Sequence, residues 1–510
     1  MPEHTLTRPV DPPRTALAQV AAWIDARLVD GSAGATGDDV VVSGVSLSTQ
    51  RVRPGDLYAA LPGSRAHGAS YAREAVDAGA VAVLTDPAGV ETAGAAGVPL
   101  LVLERPRDVL GTLAARVYGD PAQRLTLMAV TGTQGKTTTT RLLEGGLTTA
   151  GIPAAVVGTV GTRIAGTEVR TALTTPEAPD LHALFAVMLE QGVRACAMEV
   201  SSHALVMGRV AGVVFDVAAF LNLGRDHLDF HRDVEDYFAA KASLFTPERS
   251  RRGLTNLDDP YGRRLLDEAS VPMVSFSAEG READWRAVDV RLEPDGSRFT
   301  VLAPGGGRIR ARVPLTGAFN VSNGLCAIAL AGEAGLDPEV VAGGIAEAGG
   351  VPGRLERIEE GQEFLVFVDY AHKPDAVEAA MAALRPLTNG RLLLVIGAGG
   401  DRDTGKRPVM GAIAARLADV LVVTDDNPRT EDPAAIRAAV LAGTADADGG
   451  AEVLEVGDRR EAIRRAVAMA RPGDTVVVAG KGHETGQEIQ GTVHPFDDRD
   501  EVRAALRDLP

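Results

Sequence analysis

Residues Leu125 to Thr138 read LTLMAVTGTQGKTT. An apolar run passes straight into a glycine turn, a lysine and two threonines. That order reads as a strand, a phosphate-binding loop and the start of a helix. Gly132 and Gly135 let backbone N–H groups turn onto a polyphosphate, Lys136 brings a point charge to its outer oxygens, and Thr137 offers a hydroxyl to Mg²⁺. The common loop follows G-x-x-x-x-G-K-[ST] and would need Gly at position 130. Val130 sits there, and only Thr133 and Gln134 separate Gly132 from Gly135. The chain therefore carries a compact variant of the loop. A plain strand-to-helix turn with a chance lysine would not place strand, loop, Lys and hydroxyls in this sequence.

Outward from the loop, further apolar runs each end in polar residues: AAVVGTV, RACAMEVS and FDVAAFLNL. Helical stretches (TTTTRLLEGGLTTAG, APDLHALFAVMLEQG) alternate with them. This alternation predicts a doubly wound, mostly parallel sheet whose ligands bind at the carboxyl ends of its strands. Before it, VVVSGVSL, DLYAAL, AVAVL and PLLVLE read as short strands of a small α/β unit, with AREAVDAGA as a helix. Residues 280–315 alternate and turn, which predicts an antiparallel appendage. After PGRLE (Pro352–Glu356), EFLVFVDYAHKP, RLLLVIGAGGDRD, DVLVVTDDNPR and DTVVVAGKGHE again read as strands ending in charged loops. The expected fold is α/β with three domains. A small N-terminal domain (1–120, its first ~14 residues Pro-rich and expected to be disordered) precedes a central P-loop domain (121–351). A C-terminal Rossmann-like domain (352–510) follows.

Bulk properties agree. At 510 residues the chain has room for about three domains of ~150 residues. It is 45 % hydrophobic and 24 % charged, as soluble globular proteins are. A formal net charge of −17 argues against a nucleic-acid partner and requires any anionic substrate to be held by local Arg, Lys and helix N-termini. The two cysteines, Cys196 and Cys326, sit in apolar runs and read as buried free thiols of a reducing compartment. The N-terminus MPEHTLTRPVDPPR lacks an apolar core for a signal peptide, and no stretch approaches the ~18 apolar residues of a membrane span. A cytoplasmic monomer acting on small molecules, without nucleic acid or membrane, is expected.

Chemistry-bearing residues gather where the strands end. AMEVSSHAL offers Glu199, Ser201, Ser202 and His203; NLGRDHLDFH offers Asp226, His227, Asp229 and His231. A carboxylate and an imidazole beside a P-loop can hold Mg²⁺ on ATP phosphates, or can simply cap helices in a polar rim. TTP (Thr174–Pro176) is an anion-binding turn or an N-cap. Lys241, in YFAAKASLF, reads from spacing alone as a solvated helix side chain. At the far end, GAGGDRDTGKR offers Arg402, TDDNPRTE offers Asp425, Asp426, Asn427 and Arg429, and AGKGHETGQ offers Gly480, Lys481, His483 and Glu484. A zwitterion needs this mixture, with Arg on its carboxylate and Asp or Glu on its ammonium. An internal salt-bridge rim is the alternative.

The ordered series TGTQGKTT, TTP, MEVSSHAL, NLGRDHLDFH, KASLF, GAFNVSN, PGRLE, VDYAHKP, GGDRDTGKRPVM, DNPR and GKGHE resembles the Mur ligases, from about residue 44 to about residue 500. Within them it is most similar to the branch that adds diaminopimelate. The resemblance implies an ATP-dependent acid–amino-acid ligase of peptidoglycan synthesis. ATP would phosphorylate the D-glutamyl carboxylate of UDP-N-acetylmuramoyl-L-alanyl-D-glutamate, and the amine of meso-diaminopimelate would displace phosphate. It further implies that Gly132, Thr133, Gln134, Gly135, Lys136, Thr137 and Thr138 bind ATP phosphates, with Asn320, Arg354 and Asp369 on the nucleotide. Lys136, Glu199, His227 and Lys241 become the catalytic set. Thr137, Glu199, His227 and Lys241 as an N6-carboxylysine become the Mg²⁺ ligands. Ser48, Thr174, Thr175, Ser201 and Arg209 correspond to contacts of the UDP-sugar dipeptide. Arg402, Asp426, Asn427, Pro428, Arg429, Gly480 and Glu484 correspond to the diaminopimelate pocket. Lysine lacks the second carboxylate and would leave Arg402 and Arg429 facing it unpaired. The chain departs from the family at Leu47–Ser48–Thr49, where Asp-Ser-Arg is usual, and at Gly224, where many relatives carry Thr.

Three other readings share parts of this pattern. A lysine-adding Mur ligase would not be expected to keep the two arginines. A ligase like folylpolyglutamate synthase shares the compact loop and the modified lysine but lacks the N-terminal domain and DNPR. A P-loop switch or binding module needs neither Lys241 nor a zwitterion pocket.

Overall fold

The apolar run LTLMAVT forms the strand Thr126–Thr131, buried along almost its whole length, and TGTQGKTT turns it into the helix Lys136–Thr149. The computed structural model describes residues 7–31, 39–63, 65–445 and 450–509. Two compact units emerge: Met1–Ser277 with Arg281–Trp285 and Cys326–Gly344, and Ala278–Gly280 with Arg286–Leu325 and Ile345–Pro510.

In the first unit the central strands lie in the order Thr167–Val169, Gly161–Ile164, Ala154–Gly158, Ala195–Glu199, Thr126–Thr131, Val217–Phe220, Gly253–Asn256, Met273–Ser277. The first two join antiparallel; from Ala154–Gly158 onward every pair is parallel. Parallel strands are covered on both faces, which is why they read as near-continuous apolar runs rather than alternating ones. Helices Lys136–Thr149 and Ala178–Glu190 supply cover, and Leu181, Phe185 and Met188 enter the core with Leu127, Ala129 and Cys196. Both cysteines are buried free thiols.

The N-terminal part is a five-stranded sheet, Arg27–Val29, Leu100–Val102, Ala82–Thr85, Asp56–Ala59, Gly44–Ser46, parallel except for its first strand. Its helix Pro106–Val117 meets the turn at Ala211 so closely that a Cβ on Gly111 would strike the Ala211 backbone. The helix Leu17–Trp23 and the strand Arg27–Val29 lie where no element was expected. The expected disorder of the first ~14 residues falls in part outside the described residues. For residues 7–14 it is corrected: Arg8 is buried, bonded to Tyr118 and paired with Asp56, and Glu190 accepts the backbone N–H groups of Val10 and Asp11. Prolines removed the local helix and strand signals, while the anchoring partners lie far along the chain.

The antiparallel appendage expected over 280–315 is the ribbon Trp285–Glu293, Gly296–Leu302, Arg308–Val313. The C-terminal sheet of the second unit has the order Glu356–Arg357, Leu365–Asp369, Thr475–Ala479, Leu392–Ile396, Val420–Val423, Glu452–Glu455, again parallel except for its first strand. Apolar cores cover it on two faces. Its outer strand Glu452–Glu455 and the hairpin Gly486–Ile489/Thr492–Pro495 went unread, because both are short and rich in polar residues.

Candidate active site

Parallel registry sets what flanks the P-loop. Glu199 pairs with Val130, and Phe220 with Thr131, so the residues after each strand end border the loop on both sides. Gly135, at φ 88°, lies in the left-handed region and turns the chain into the helix, whose first N–H groups form an anion-binding end. Not every loop amide is turned inward. Those of Thr133 and Gln134 donate to Asn222 Oδ1 at 3.1 and 2.9 Å, and Asn222 Nδ2 donates to Gln134 O at 3.2 Å. Thr133 Oγ1 also meets Tyr237 Oη at 3.2 Å, and burial pushes that phenol above its ordinary range. Thr137 and Thr138 are largely buried in the first helical turn.

Two lysines converge on one carbonyl. Lys136 Nζ donates to Gly132 O at 2.7 Å and to Thr133 O at 3.2 Å, while Lys241 Nζ donates to Gly132 O at 2.9 Å. The reading of Lys241 as a solvated side chain is thereby corrected. It is 1 % exposed, with Nζ 4.5 Å from the centre of the Tyr237 ring. The helix Val234–Ala242 presents Tyr237, Phe238 and Lys241 to the interior on one face, and a single Lys in a short sequence window does not reveal which face it takes.

Glu199 is 1 % exposed. Its Oε1 accepts Thr159 N–H at 2.9 Å and its Oε2 accepts Thr159 Oγ1 at 3.0 Å. Gly158 makes room for it, since a Cβ there would collide with Oε1. The residues assigned to the dipeptide adjoin it. Thr159 Oγ1 meets Thr174 Oγ1 at 3.0 Å, Thr175 Oγ1 donates to Glu199 O at 2.9 Å and receives Ser201 N–H at 3.3 Å. Arg209 pairs with Glu177 at 2.8 Å and reaches Thr175 O at 3.5 Å. Ser48 lies in the turn just after the strand Gly44–Ser46 of the N-terminal sheet, where its N–H donates to Ser46 Oγ at 3.2 Å. His227, at φ 53°, sits 3.3 Å from Asp226 and packs edge-on against His203, ring centres 4.8 Å apart. Burial, then His231, holds the His203 imidazole below its ordinary range.

The donor set proposed for Mg²⁺ combines the Glu199 carboxylate and Thr137 hydroxyl, both hard oxygens, with His227 and a modified Lys241. It fits on two grounds. Each Glu199 oxygen accepts one hydrogen bond and keeps a second lone pair, and Glu199 pairs with Val130, so it ends its strand beside the one that runs into the P-loop. Among the described residues no group of three or more His, Cys, Asp or Glu is arranged for a metal ion, so the set depends on Thr137 and the Lys241 modification.

Asn320, Arg354 and Asp369, assigned to the nucleotide, belong to the second unit. Asn320 Nδ2 donates to Thr316 O at 2.8 Å. The Arg354 guanidinium stacks 4.4 Å over Tyr370. Asp369 accepts Leu355 N–H at 2.7 Å and Ala371 N–H at 2.8 Å; burial raises its carboxyl above the usual range, against the opposing field of Arg354.

In the same unit DNPR and GKGHE are bound into one frame. Lys481, wholly buried, donates to Asn427 Oδ1 at 2.9 Å and Glu484 Oε2 at 3.2 Å, and Asn427 Nδ2 donates to Glu484 Oε2 at 2.9 Å. A Cβ on Gly480 (φ 119°) would press on Asp426 Oδ2. Arg459, in a buried ion pair with Asp498 at 2.7 Å, donates to Ala479 O at the end of one strand and to Asp425 O just past the end of another. Arg429 follows Pro428 at φ 54°. Arg402 is exposed, with Nη1 3.5 Å from Asp401 O, and is not drawn into this frame. The expectation that lysine would leave Arg429 unpaired is corrected, because Glu488 stands 3.3 Å from its Nε. Lys481, Asn222, Thr159 and Glu488 were not among the assigned residues. Asn222 and Lys481 open or lie within quoted motifs, but only the register shows what their side chains reach.

Three family models match in chain order: "Mur ligase family, catalytic domain" over residues 41–118, "Mur ligase middle domain" over 130–331, and "Mur ligase, glutamate ligase domain" over 353–482. The chain is 56 % identical over 502 residues (97 % of it, 98 % of the relative) to a UDP-N-acetylmuramoyl-L-alanyl-D-glutamate–2,6-diaminopimelate ligase of Streptomyces avermitilis. It is likewise 56 % identical over 503 residues (98 % and 98 %) to that of Streptomyces coelicolor. A solved structure bearing the same enzyme name superposes with a TM-score of 0.68 at 33 % identity, covering 97 % of this chain and 99 % of that one. On these matches, and on the strand-end motifs they span, the chain belongs to the Mur ligase family.

Proposed function

We infer that the chain is an ATP-dependent ligase adding meso-diaminopimelate to the D-glutamyl carboxylate of UDP-N-acetylmuramoyl-L-alanyl-D-glutamate, a step in making peptidoglycan precursors. The observation that carries the choice of amino acid is the DNPR–GKGHE frame, where a guanidinium (Arg429) and carboxylates (Asp426, Glu484) share one hydrogen-bonded scaffold. That is the charge pattern of a zwitterion's distal end.

The chemistry follows from the substrates. A carboxylate is a poor electrophile, and transfer of the ATP γ-phosphoryl group makes it an acyl phosphate. The amine of diaminopimelate attacks its carbonyl carbon, the C–O bond to phosphate breaks, and the amine loses a proton as the amide forms. Gly135 and the first turn of Lys136–Thr149 hold the polyphosphate, and Lys136 uncurls from Gly132 O to meet its outer oxygens. Asn320, Arg354 and Asp369 hold the nucleotide. Thr174, Thr175, Ser201 and Arg209 hold the dipeptide, and Ser48 the uridine end. Thr137, Glu199, His227 and a carbamylated Lys241 would hold Mg²⁺, which when bound screens the charge crowded between phosphate and carboxylate. Carbamylation keeps one N–H on Lys241 for Gly132 O and replaces one of two neighbouring cations with an anion. The three domains are assigned as 1–120, 121–351 and 352–510. We propose a cytoplasmic monomer; no described helix is long and apolar enough to cross a membrane.

A ligation assay with ATP and the UDP-sugar dipeptide, offering meso-diaminopimelate and L-lysine side by side, tests this reading. Phosphate release and tripeptide formation are expected with diaminopimelate. ATP turnover indifferent to it would sink the proposal.

A further inference from the structure

Arg429 is held in place by main chain. Its N–H donates to Glu488 O at 2.9 Å, its carbonyl accepts Gln490 N–H at 2.7 Å, and its Nη1 donates to Gly400 O at 2.6 Å. The strand carrying Glu488 is itself tied to the DNPR loop without help from the Glu488 side chain. Gln487 Nε2 donates to Asp426 O at 2.8 Å, and Glu488 N–H donates to Asn427 Oδ1 at 3.0 Å. The Glu488 carboxylate is therefore not needed to position Arg429, yet it lies 3.3 Å from Arg429 Nε. Both side chains reach solvent, 22 % exposed for Arg429 and 39 % for Glu488, so a ligand can arrive and Glu488 can leave. The contact is longer than the ~2.7–2.9 Å of a tight charge-assisted bond, as suits a pair made to exchange.

We propose that Glu488 is an internal carboxylate that occupies Arg429 until the distal carboxylate of the amino-acid substrate displaces it, and so sets both affinity and selectivity. The proposal rests on the reading of Arg429 as that carboxylate's clamp. Its consequence for selectivity is specific. An amino acid without the second carboxylate leaves the Arg429–Glu488 pair intact and orphans nothing. Diaminopimelate gains only the difference between its own pairing with Arg429 and that of Glu488. With Glu488 neutralised, the gain from the second carboxylate is no longer offset, and a ligand lacking it leaves Arg429 without its resident carboxylate.

The test compares wild type, Glu488→Gln, Arg429→Ala and the double variant in steady-state ligation, with L-lysine as alternative substrate or competitor. Glu488→Gln should lower KM for diaminopimelate by about two- to fivefold, the scale of a partly exposed ion pair, and weaken lysine relative to it. KM for ATP should stay in place. Arg429→Ala should raise KM for diaminopimelate, and adding Glu488→Gln to it should bring no decrease. An unchanged or higher KM in Glu488→Gln, with Arg429→Ala still impaired, would overturn the role of Glu488 alone. An Arg429→Ala protein with normal KM would instead remove the clamp on which it rests.

Discussion

His182 shows how much one side chain's surroundings decide. It lies in the helix Ala178–Glu190, wholly buried, with Nε2 3.1 Å from Ala211 O and Nδ1 buried without a hydrogen-bond partner. Nε2 therefore carries the proton, and protonating Nδ1 would leave a charge stranded in the core. Burial accordingly lowers its pKa to about 4 from an ordinary value of 6.5. Between those values the unfolded chain binds a proton that the folded chain refuses, so stability is complete above about pH 6.5 and falls as pH drops toward about 4. From about pH 7.5 to about pH 5 the contribution lost is about 2 kcal/mol. His372, also lowered to about 4, adds to the same trend in the second unit. Urea denaturation of wild type and His182→Gln at both pH values checks this: the variant's pH dependence should be shallower by about that amount. Parallel pH profiles would exclude His182 as a source. Nothing in the sequence around His182 distinguishes it from a surface histidine, because its partner at Ala211 lies in another turn.

At the scale of elements, the sequence was most legible where a strand ends. Apolar runs with period neither two nor three-and-a-half, each stopping at charged or glycine residues, put Glu199, the Asn222–His231 stretch, DNPR and GKGHE at or just past strand ends, as they are in the fold. It was least legible where one element holds another. Asn222 reads as one polar residue after FDVAAFL, yet its amide fastens the P-loop from a strand that the register sets beside it. The hairpin Gly486–Ile489/Thr492–Pro495 has strands too short and polar to be read, yet it clamps Arg429. The Asn222 link yields a prediction. Asn222→Ala leaves the Gln134 amide without its acceptor and Thr133 N–H with the Asn222 main-chain O alone; such a loss costs on the order of 1–2 kcal/mol, so KM for ATP should rise about tenfold. KM for diaminopimelate should move far less. Nucleotide titration alongside steady-state kinetics decides it; unaltered ATP binding would show that the loop holds its shape without this side chain.

For the whole molecule, the net charge of −17 means that the anionic substrates must be received by a few placed cations: Lys136 and Lys241 meet at Gly132 O just beyond one parallel strand, and Arg429 lies in the loop beyond another. These cations are divided between two units with separate cores, which has a thermodynamic signature. The chain has two tryptophans, Trp23 and Trp285, and both belong to the first unit. Trp285 is buried, with Nε1 donating to Glu333 Oε1 at 2.9 Å, and Arg116 lies over Trp23 at 5.9 Å, so unfolding should change the environment of both. Tryptophan fluorescence therefore reports the first unit, whereas far-ultraviolet circular dichroism reports helices and strands of both. Units that unfold separately give urea curves by the two probes that do not superimpose. Diaminopimelate at about a hundred times its Kd should then stabilise the second unit by about 2.7 kcal/mol, shifting the dichroism step that fluorescence does not see. Curves that coincide with and without ligand would show instead that the two units unfold as one cooperative body, and that the energy of amino-acid binding is spread over the P-loop domain as well.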